Sequence, residues 1–287
     1  MGYRVGVVCE RGLPEEKGGR SRNEDNYLVC QHGTARWLHG ERLEQQPADG
    51  DGLLVAVFDG IGGHGEGHVA SGAAAQVLSK LFQPGAPHRP TRVLTRYVHD
   101  AHQKLHYRAR GADGRVRMGT TLVAGWVLKG ILHWINVGDS RLYLLRGGRL
   151  TQLTIDQTRN TFLVRDGKPP APGGNHLAQG FIYGSRGLGH DTQLRIEDDL
   201  DNGQVHLSPH DVLLFCTDGI SEVLTTETMT DLLVRLHDPQ LTAERLVTAA
   251  LSAGSTDNLT ALVVRVDQLP DGGLDEWADD GEETVQF

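Results

Sequence analysis

Five short segments set a carboxylate beside glycine, serine, threonine or asparagine: RSRNED at 20–25, FDGIGGH at 58–64, NVGDSR at 136–141, CTDG at 216–219 and STDN at 255–258. Asp59 follows directly on the apolar run LLVAVF, and Asp218 follows VLLFC with Thr217 between. A carboxylate at the mouth of a buried strand costs free energy unless a cation or hydrogen bonds compensate it. One such residue reads as a turn or a cap. Five at strand ends read as a hard-metal site, because aspartate oxygens select Mg²⁺ or Mn²⁺ over metals that prefer thiolate or imidazole. Gly60, Gly62 and Gly63 after Asp59, and Gly219 after Asp218, let the backbone turn sharply and bring a carbonyl or a substrate close. One Asp bridging two cations, with others capping each, is an arrangement that activates a bridging water and clamps a phosphoryl group.

The elements that must hold these residues are also marked. Strands are expected over 3–8, 27–30, 53–58, 120–127, 130–137, 141–145, 149–153, 205–207, 212–216 and 259–266. Apolar residues at Val69, Ala73, Val77 and Leu81 predict a helix over 69–82. Leu94, Val98, Ala101 and Leu105 predict another over 90–110. Helices are expected over 227–237 and 242–253, the second with Thr242 as N-cap and Gly254 as its stop. The polar stretch 31–52 reads as a strand-loop insertion, and the Pro- and Gly-rich stretch 156–190 as a long loop or flap. Two runs of strands, each followed by paired helices, point to an α+β layered sandwich rather than a βαβ repeat.

The formal charge of −9 is concentrated at the C-terminus: residues 267–287 carry eight acidic residues and no Lys or Arg. Setting those eight aside leaves 29 acidic residues against 28 basic ones, a body close to neutral. That argues against nucleic acid as a partner, since such a body normally carries a basic face. The tail, with three glycines and few apolar anchors, is expected to be disordered, so the domain reading is a catalytic unit over 1–266 and a tail over 267–287. Cys9, Cys30 and Cys216 form no CxxC pair, which fits a reducing compartment. No apolar run reaches the length of a membrane span and no signal pattern opens the chain, so a cytoplasmic monomer is expected.

Taken in order, Arg-x-x-Asn-Glu-Asp, Asp-Gly-x-Gly-Gly-His-x-x-Gly-x-x-Ala-Ser, Gly-Thr-Thr, Asn-x-Gly-Asp-Ser-Arg, Thr-Asp-Gly and Thr-Asp-Asn resemble the metal-dependent protein serine/threonine phosphatases of the 2C type, bacterial branch. The resemblance runs from residue 3 to about 266. It implies an α-β-β-α sandwich of two central antiparallel sheets, with the metal site at one end. It also implies hydrolysis of phosphoserine and phosphothreonine by direct attack of a metal-activated water. Two Mg²⁺ or Mn²⁺ ions are implied. Asp59 would bridge both and the Gly60 carbonyl would complete the first, while Asp218 and Asp257 would hold the second. Glu24 and Asp25 would orient water around the metals. Arg20 would bind the substrate phosphate, and His64 would protonate the leaving oxygen. Asp139, Asp218 and Glu222 would form a third, weaker metal site. The implied partners are phosphorylated proteins and a Ser/Thr kinase.

Two departures from the family pattern stand out. Glu222 stands where Asp is usual, and Gln157 stands where His is common, ahead of an unusual run through Lys168 and Pro172. Two other functions stay open, a phosphoprotein-binding pseudophosphatase and a metal-dependent hydrolase of small phosphoesters. All the core carboxylates are present, which disfavours the first. No Cys-x₅-Arg loop is present, which disfavours a cysteine-based phosphatase. His99, His102 and His106 fall near one helical face with no carboxylate to complete a metal site, so a solvated face is expected there.

Overall fold

A computed structural model describes residues 2–62, 66–85, 89–109, 118–174, 177–181, 184–185 and 200–269. Its strands are β1 (Tyr3–Glu10), β2 (Asn26–Gln31), β3 (Thr34–His39), β4 (Arg42–Pro47), β5 (Leu53–Phe58), β6 (Gly60–Gly62), β7 (Met118–Thr120), β8 (Leu122–Leu128), β9 (Ile131–Val137), β10 (Arg141–Arg146), β11 (Arg149–Gln152), β12 (Gln179–Gly180), β13 (Gly184–Ser185), β14 (Asp201–His206), β15 (Val212–Cys216) and β16 (Leu259–Val266). Its helices are α1 (Gly67–Ser79), α2 (Pro90–Arg108), α3 (Arg159–Arg165), α4 (Asp218–Ser221), α5 (Thr226–Arg235) and α6 (Pro239–Ser252). One antiparallel sheet has five strands in the order β1-β16-β15-β10-β11. The other has seven, β14-β9-β8-β5-β2-β3-β4.

The period of two along each strand decides the layering. In β5, Leu53, Val55 and Val57 face the other sheet, where they meet Leu213, Phe215, Leu262 and Val264. Leu54, Ala56 and Phe58 turn the other way, onto Ala70, Ala74 and Leu78 of α1 and Leu94 and Val98 of α2. On the five-stranded sheet Leu214, Cys216, Ala261 and Val263 pack against Leu233, Leu246 and Ala250 of α5 and α6. Three apolar layers between four layers of elements make the α-β-β-α sandwich that the resemblance implies.

Several local expectations change. The stretch 31–52, read as a strand-loop insertion, is more regular than that: β3 and β4 extend the seven-stranded sheet as a hairpin, with Trp37 and Ala35 buried and β4 left as a mostly exposed edge. Thr242 is not the cap of the last helix. Pro239 opens that helix and the Asp238 carboxylate accepts from Leu241 N at 2.7 Å, so Thr242 lies one turn inside, its hydroxyl donating to the Asp238 carbonyl at 2.6 Å. Proline suits the first turn because its missing N–H has no helical partner there. The flap region 156–190 carries the short helix α3, capped by Thr158, and an isolated bridge pairs Phe181 with Thr120. His102 is 5% exposed and stacks its ring 6.1 Å from that of Phe181, so the helical histidine face is not wholly solvated.

The far end of the five-stranded sheet is closed by ion pairs. Arg146 forks onto Asp211 at 3.0 and 2.7 Å, and Ser208 N also donates to Asp211. Arg4 forks onto Asp267 at 2.6 and 3.0 Å, Asp267 N donates to Gly2 O at 2.7 Å, and Leu269 packs against the inter-sheet core. The remaining tail residues lie outside the described residues. A chain ending at Val266 is therefore expected to melt a few degrees below one ending at Leu269, since about 1 kcal/mol shifts the melting temperature of a domain this size by roughly 2–4 °C. Equal melting temperatures in calorimetry would show that residues 267–269 add nothing.

Candidate metal centre

The acidic segments meet at the opposite end of the sandwich. Asp25 closes the loop into β2, Asp59 follows β5, Asp139 lies in the turn from β9 to β10, Asp218 opens α4, and Asp257 precedes β16. The antiparallel order of the two sheets brings these segments to one end of the sandwich, and the carboxylates act on one another. Burial raises Asp25 to about 8, and Asp218 and Asp257 add repulsion. Burial also raises Asp139 to about 7 and Asp218 to about 6, with Asp218, Asp156 and Glu222 repelling the first and Asp257 and Glu222 the second. Asp59 is held well above the ordinary carboxylate range by burial and by the charges of Asp218, Asp25, Asp139 and Asp257. Of the charges that raise Asp59, that of Asp218 is the largest.

Around Asp25 the hydrogen bonds are one-sided. Its Oδ2 accepts from Thr217 Oγ1 at 2.9 Å and from Thr260 Oγ1 at 2.7 Å. Its Oδ1 is buried and has no hydrogen-bond partner. Glu24 is anchored differently: its Oε1 accepts from Gly67 N at 3.0 Å at the start of α1, where a helix favours negative charge. Its carbonyl accepts from Ser71 Oγ at 2.7 Å. The start of α1 lies hard against the Gly60 peptide, and a Cβ on Gly60 would collide with the Glu24 and Gly67 carbonyls. Only glycine allows that approach.

Asn258 fastens the 20–25 loop to the 255–258 turn. Its Oδ1 accepts from Glu24 N at 2.9 Å, and its Nδ2 donates to the carbonyls of Arg11 at 2.9 Å and Arg22 at 3.0 Å. Arg20 forks onto Asp257, Nε to Oδ1 at 2.8 Å and Nη2 to Oδ2 at 2.5 Å. The resemblance implies separate tasks for these two residues, and the structure pairs them. The charges of Asp59 and Asp218 also act on the Arg20 guanidinium. His64 lies outside the described residues.

Asp139, Asp218 and Glu222 line a cavity of about 500 Å³ together with Thr158, Thr161 and Val164 of the flap segment. Arg141 on its wall is ion-paired with Asp156 at 2.6 Å. Gln157 braces the neighbouring turn: its Oε1 accepts from Gly138 N at 2.8 Å, and its own N donates to the Gly138 carbonyl at 2.9 Å. A glutamine therefore does a defined structural job at this departure from the family pattern.

Among the described residues no three of these acids meet as ligands of one ion, and Asp257 is turned to Arg20. The donor set nevertheless fits hard divalent cations. It is oxygen only, its acids repel one another, and it contains an unsatisfied buried oxygen on Asp25. Thr217 and Thr260 bond to Asp25 and Asn258 to Glu24, contacts that the residue types alone do not announce. Their signal was a hydroxyl or amide inside, or just past, two of the acidic motifs.

The Protein phosphatase 2C family model matches residues 42–253. The serine/threonine phosphatase stp of Listeria welshimeri is 31% identical over 85% of this chain and 90% of its own. The serine/threonine protein phosphatase PstP of Mycobacterium tuberculosis is 32% identical over 74% of this chain and 40% of its own. The Mycobacterium tuberculosis PstP/Ppp crystal structure aligns with a TM-score of 0.71 at 27% identity, covering 93% of this chain and all of that one. The catalytic domain of PstP in complex with two manganese ions aligns at 0.69 and 29%, covering 93% of this chain and 99% of that one. With the motifs in order, the sandwich and the acidic strand ends all in place, the chain belongs to the protein phosphatase 2C family.

Proposed function

We propose that this chain is a Mg²⁺- or Mn²⁺-dependent phosphatase acting on phosphoserine and phosphothreonine in proteins. The observation that carries this reading is the group of buried and half-buried, mutually repelling carboxylates at one end of the sandwich, raised by desolvation and by one another. Such a group gains stability from divalent cations and has no evident structural use without them. Asp59, the Gly60 carbonyl, Asp218 and Asp257 would hold two ions, and Asp139, Asp218 and Glu222 a weaker third. Bound there, the cations supply water activation and neutralise the phosphoryl oxygens.

The remaining steps belong to the protein. Arg20, a guanidinium at the mouth and 60% exposed in its side chain, is suited to clamp two phosphate oxygens. His64 is proposed to protonate the leaving serine or threonine oxygen. Asn258 and Glu24 keep the Arg20 loop and the start of α1 in register with Asp257. The proposed partners are phosphorylated proteins and the Ser/Thr kinase that produces them. Among the described residues no helix is long and apolar enough to cross a membrane, and a cytoplasmic monomer is proposed. The deciding experiment is release of phosphate from a phosphothreonine peptide with Mn²⁺, with EDTA, and after Mn²⁺ is restored. Activity that ignores EDTA would overturn the metal-dependent reading, and turnover confined to small phosphoesters would move the substrate class.

Asp59→Asn is expected to lower kcat by at least a hundredfold, because the bridging carboxylate would act on both ions. Its fold should survive, since the substitution relieves repulsion. Activity within about tenfold of the parent at normal metal content would remove Asp59 from the bridging position. For Arg20→Ala the expected result is a KM for phosphopeptide raised about tenfold or more, with kcat changed less. An unchanged KM would leave Arg20 as a structural partner of Asp257.

A further inference from the structure

The hydroxyl protons around Asp25 can be placed one by one. Thr217 Oγ1 accepts from Thr260 N at 3.0 Å, so its own proton is available for Asp25 Oδ2, 2.9 Å away. Thr260 Oγ1 has a single proton and two neighbours, Asp25 Oδ2 at 2.7 Å and Cys9 Sγ at 3.2 Å. A carboxylate oxygen at the shorter distance is much the stronger acceptor. The Thr260 proton therefore goes to Asp25, and the Cys9 S–H donates to Thr260 Oγ1. Asn23 Nδ2 donates to the same sulfur at 3.3 Å and its Oδ1 accepts from Asp25 N at 3.2 Å, closing the ring. Thr217 and Thr260 are fully buried, and Asp25 is 3% exposed.

Both donors fall on one oxygen. Oδ2 is held twice by short, dry hydrogen bonds, and Oδ1 is held by none. The charges acting on Asp25 are those of Asp218 and Asp257. Two fixed hydroxyls on one oxygen remove the freedom of the carboxylate to rotate or to exchange its oxygens.

We infer that Thr217 and Thr260 are positioning residues, which pin Asp25 Oδ2 so that Oδ1 is kept for a divalent cation or the water it carries. Resting on the metal-dependent reading of the site, this makes the hydroxyls part of the cation affinity of the protein, not only of its core. Supports of this kind typically contribute ten- to a hundredfold to metal affinity. The pattern also explains why two buried strand-end positions of the five-stranded sheet carry a hydroxyl among apolar neighbours.

The test uses the full chain and Mn²⁺ alone, with affinity read by calorimetric titration and melting temperature measured without metal. Thr217→Val and Thr260→Val keep the side-chain shape and delete the hydroxyl. Each is expected to weaken Mn²⁺ binding about tenfold, while Thr217→Ser and Thr260→Ser stay within about threefold of the parent. In an Asp25→Ala background the valine changes should cause no further loss, because the hydroxyls act through Asp25. Where a valine variant does not fold, the corresponding alanine variant takes its place in the same comparison. Valine variants that bind Mn²⁺ within twofold of the parent would overturn the inference and leave the metal-dependent reading standing. So would equal losses with and without Asp25. A parent chain that binds no Mn²⁺ would overturn both.

Discussion

Like charge gathered in a dry place is the constraint on which the rest of this molecule depends. Five aspartates from five separate segments are brought to one end of the sandwich, and burial and mutual repulsion raise four of them. Nothing local in those segments favours that meeting. It is imposed by the two sheets, whose inter-sheet layer is apolar along β5, β15 and β16. The hydrophobic effect on one side of each strand end therefore offsets electrostatic cost on the other. Stability spent at a functional site and recovered in the body is a common pattern.

Strand β15 shows the contrast within a few residues. At its start Asp211 is 2% exposed and takes a guanidinium fork from Arg146 and an amide from Ser208. Just past its end, Asp218 is half-buried and faces the like charges of Asp257 and Glu222. Both acids flank the same strand. The first is neutralised by the protein itself and has a structural meaning. The second sits among like charges that a divalent cation would relieve, and that difference separates a fold-maintaining carboxylate from one available for chemistry.

The acidic motifs were legible in the sequence because their chemistry resides in residue type: Asp beside Gly, Ser or Asn after an apolar run. The sandwich was legible because strand and helix periods differ. What stayed hidden was partnership across long stretches of chain. Arg20 and Asp257 are 237 residues apart, and no local pattern pairs them. The β3–β4 hairpin was obscured because its edge strand is polar and exposed, leaving Trp37 as almost its only core signal. Thr242 looked like a cap because it precedes an apolar repeat, whereas Asp238 with Pro239 supplies both a carboxylate acceptor and a fixed φ one turn earlier. Gln157 could not be read at all, since its role is to bond a turn 19 residues away on both edges.

The Arg20–Asp257 pair bears on how the site can be both assembled and available. With side chains 60% and 32% exposed, solvent keeps such a pair to about 1 kcal/mol. It is strong enough to orient the guanidinium, on which the charges of Asp59 and Asp218 also act. It is too weak to keep it from a better acceptor. A phosphate monoester has the same spacing of oxygens with more negative charge, so it competes well for the fork. Asp257 in turn retains lone pairs that the fork does not use, because a carboxylate offers about four acceptor positions. A loosely held arginine and a carboxylate with spare lone pairs are compatible with both tasks assigned to them, and a deeply buried pair would not be.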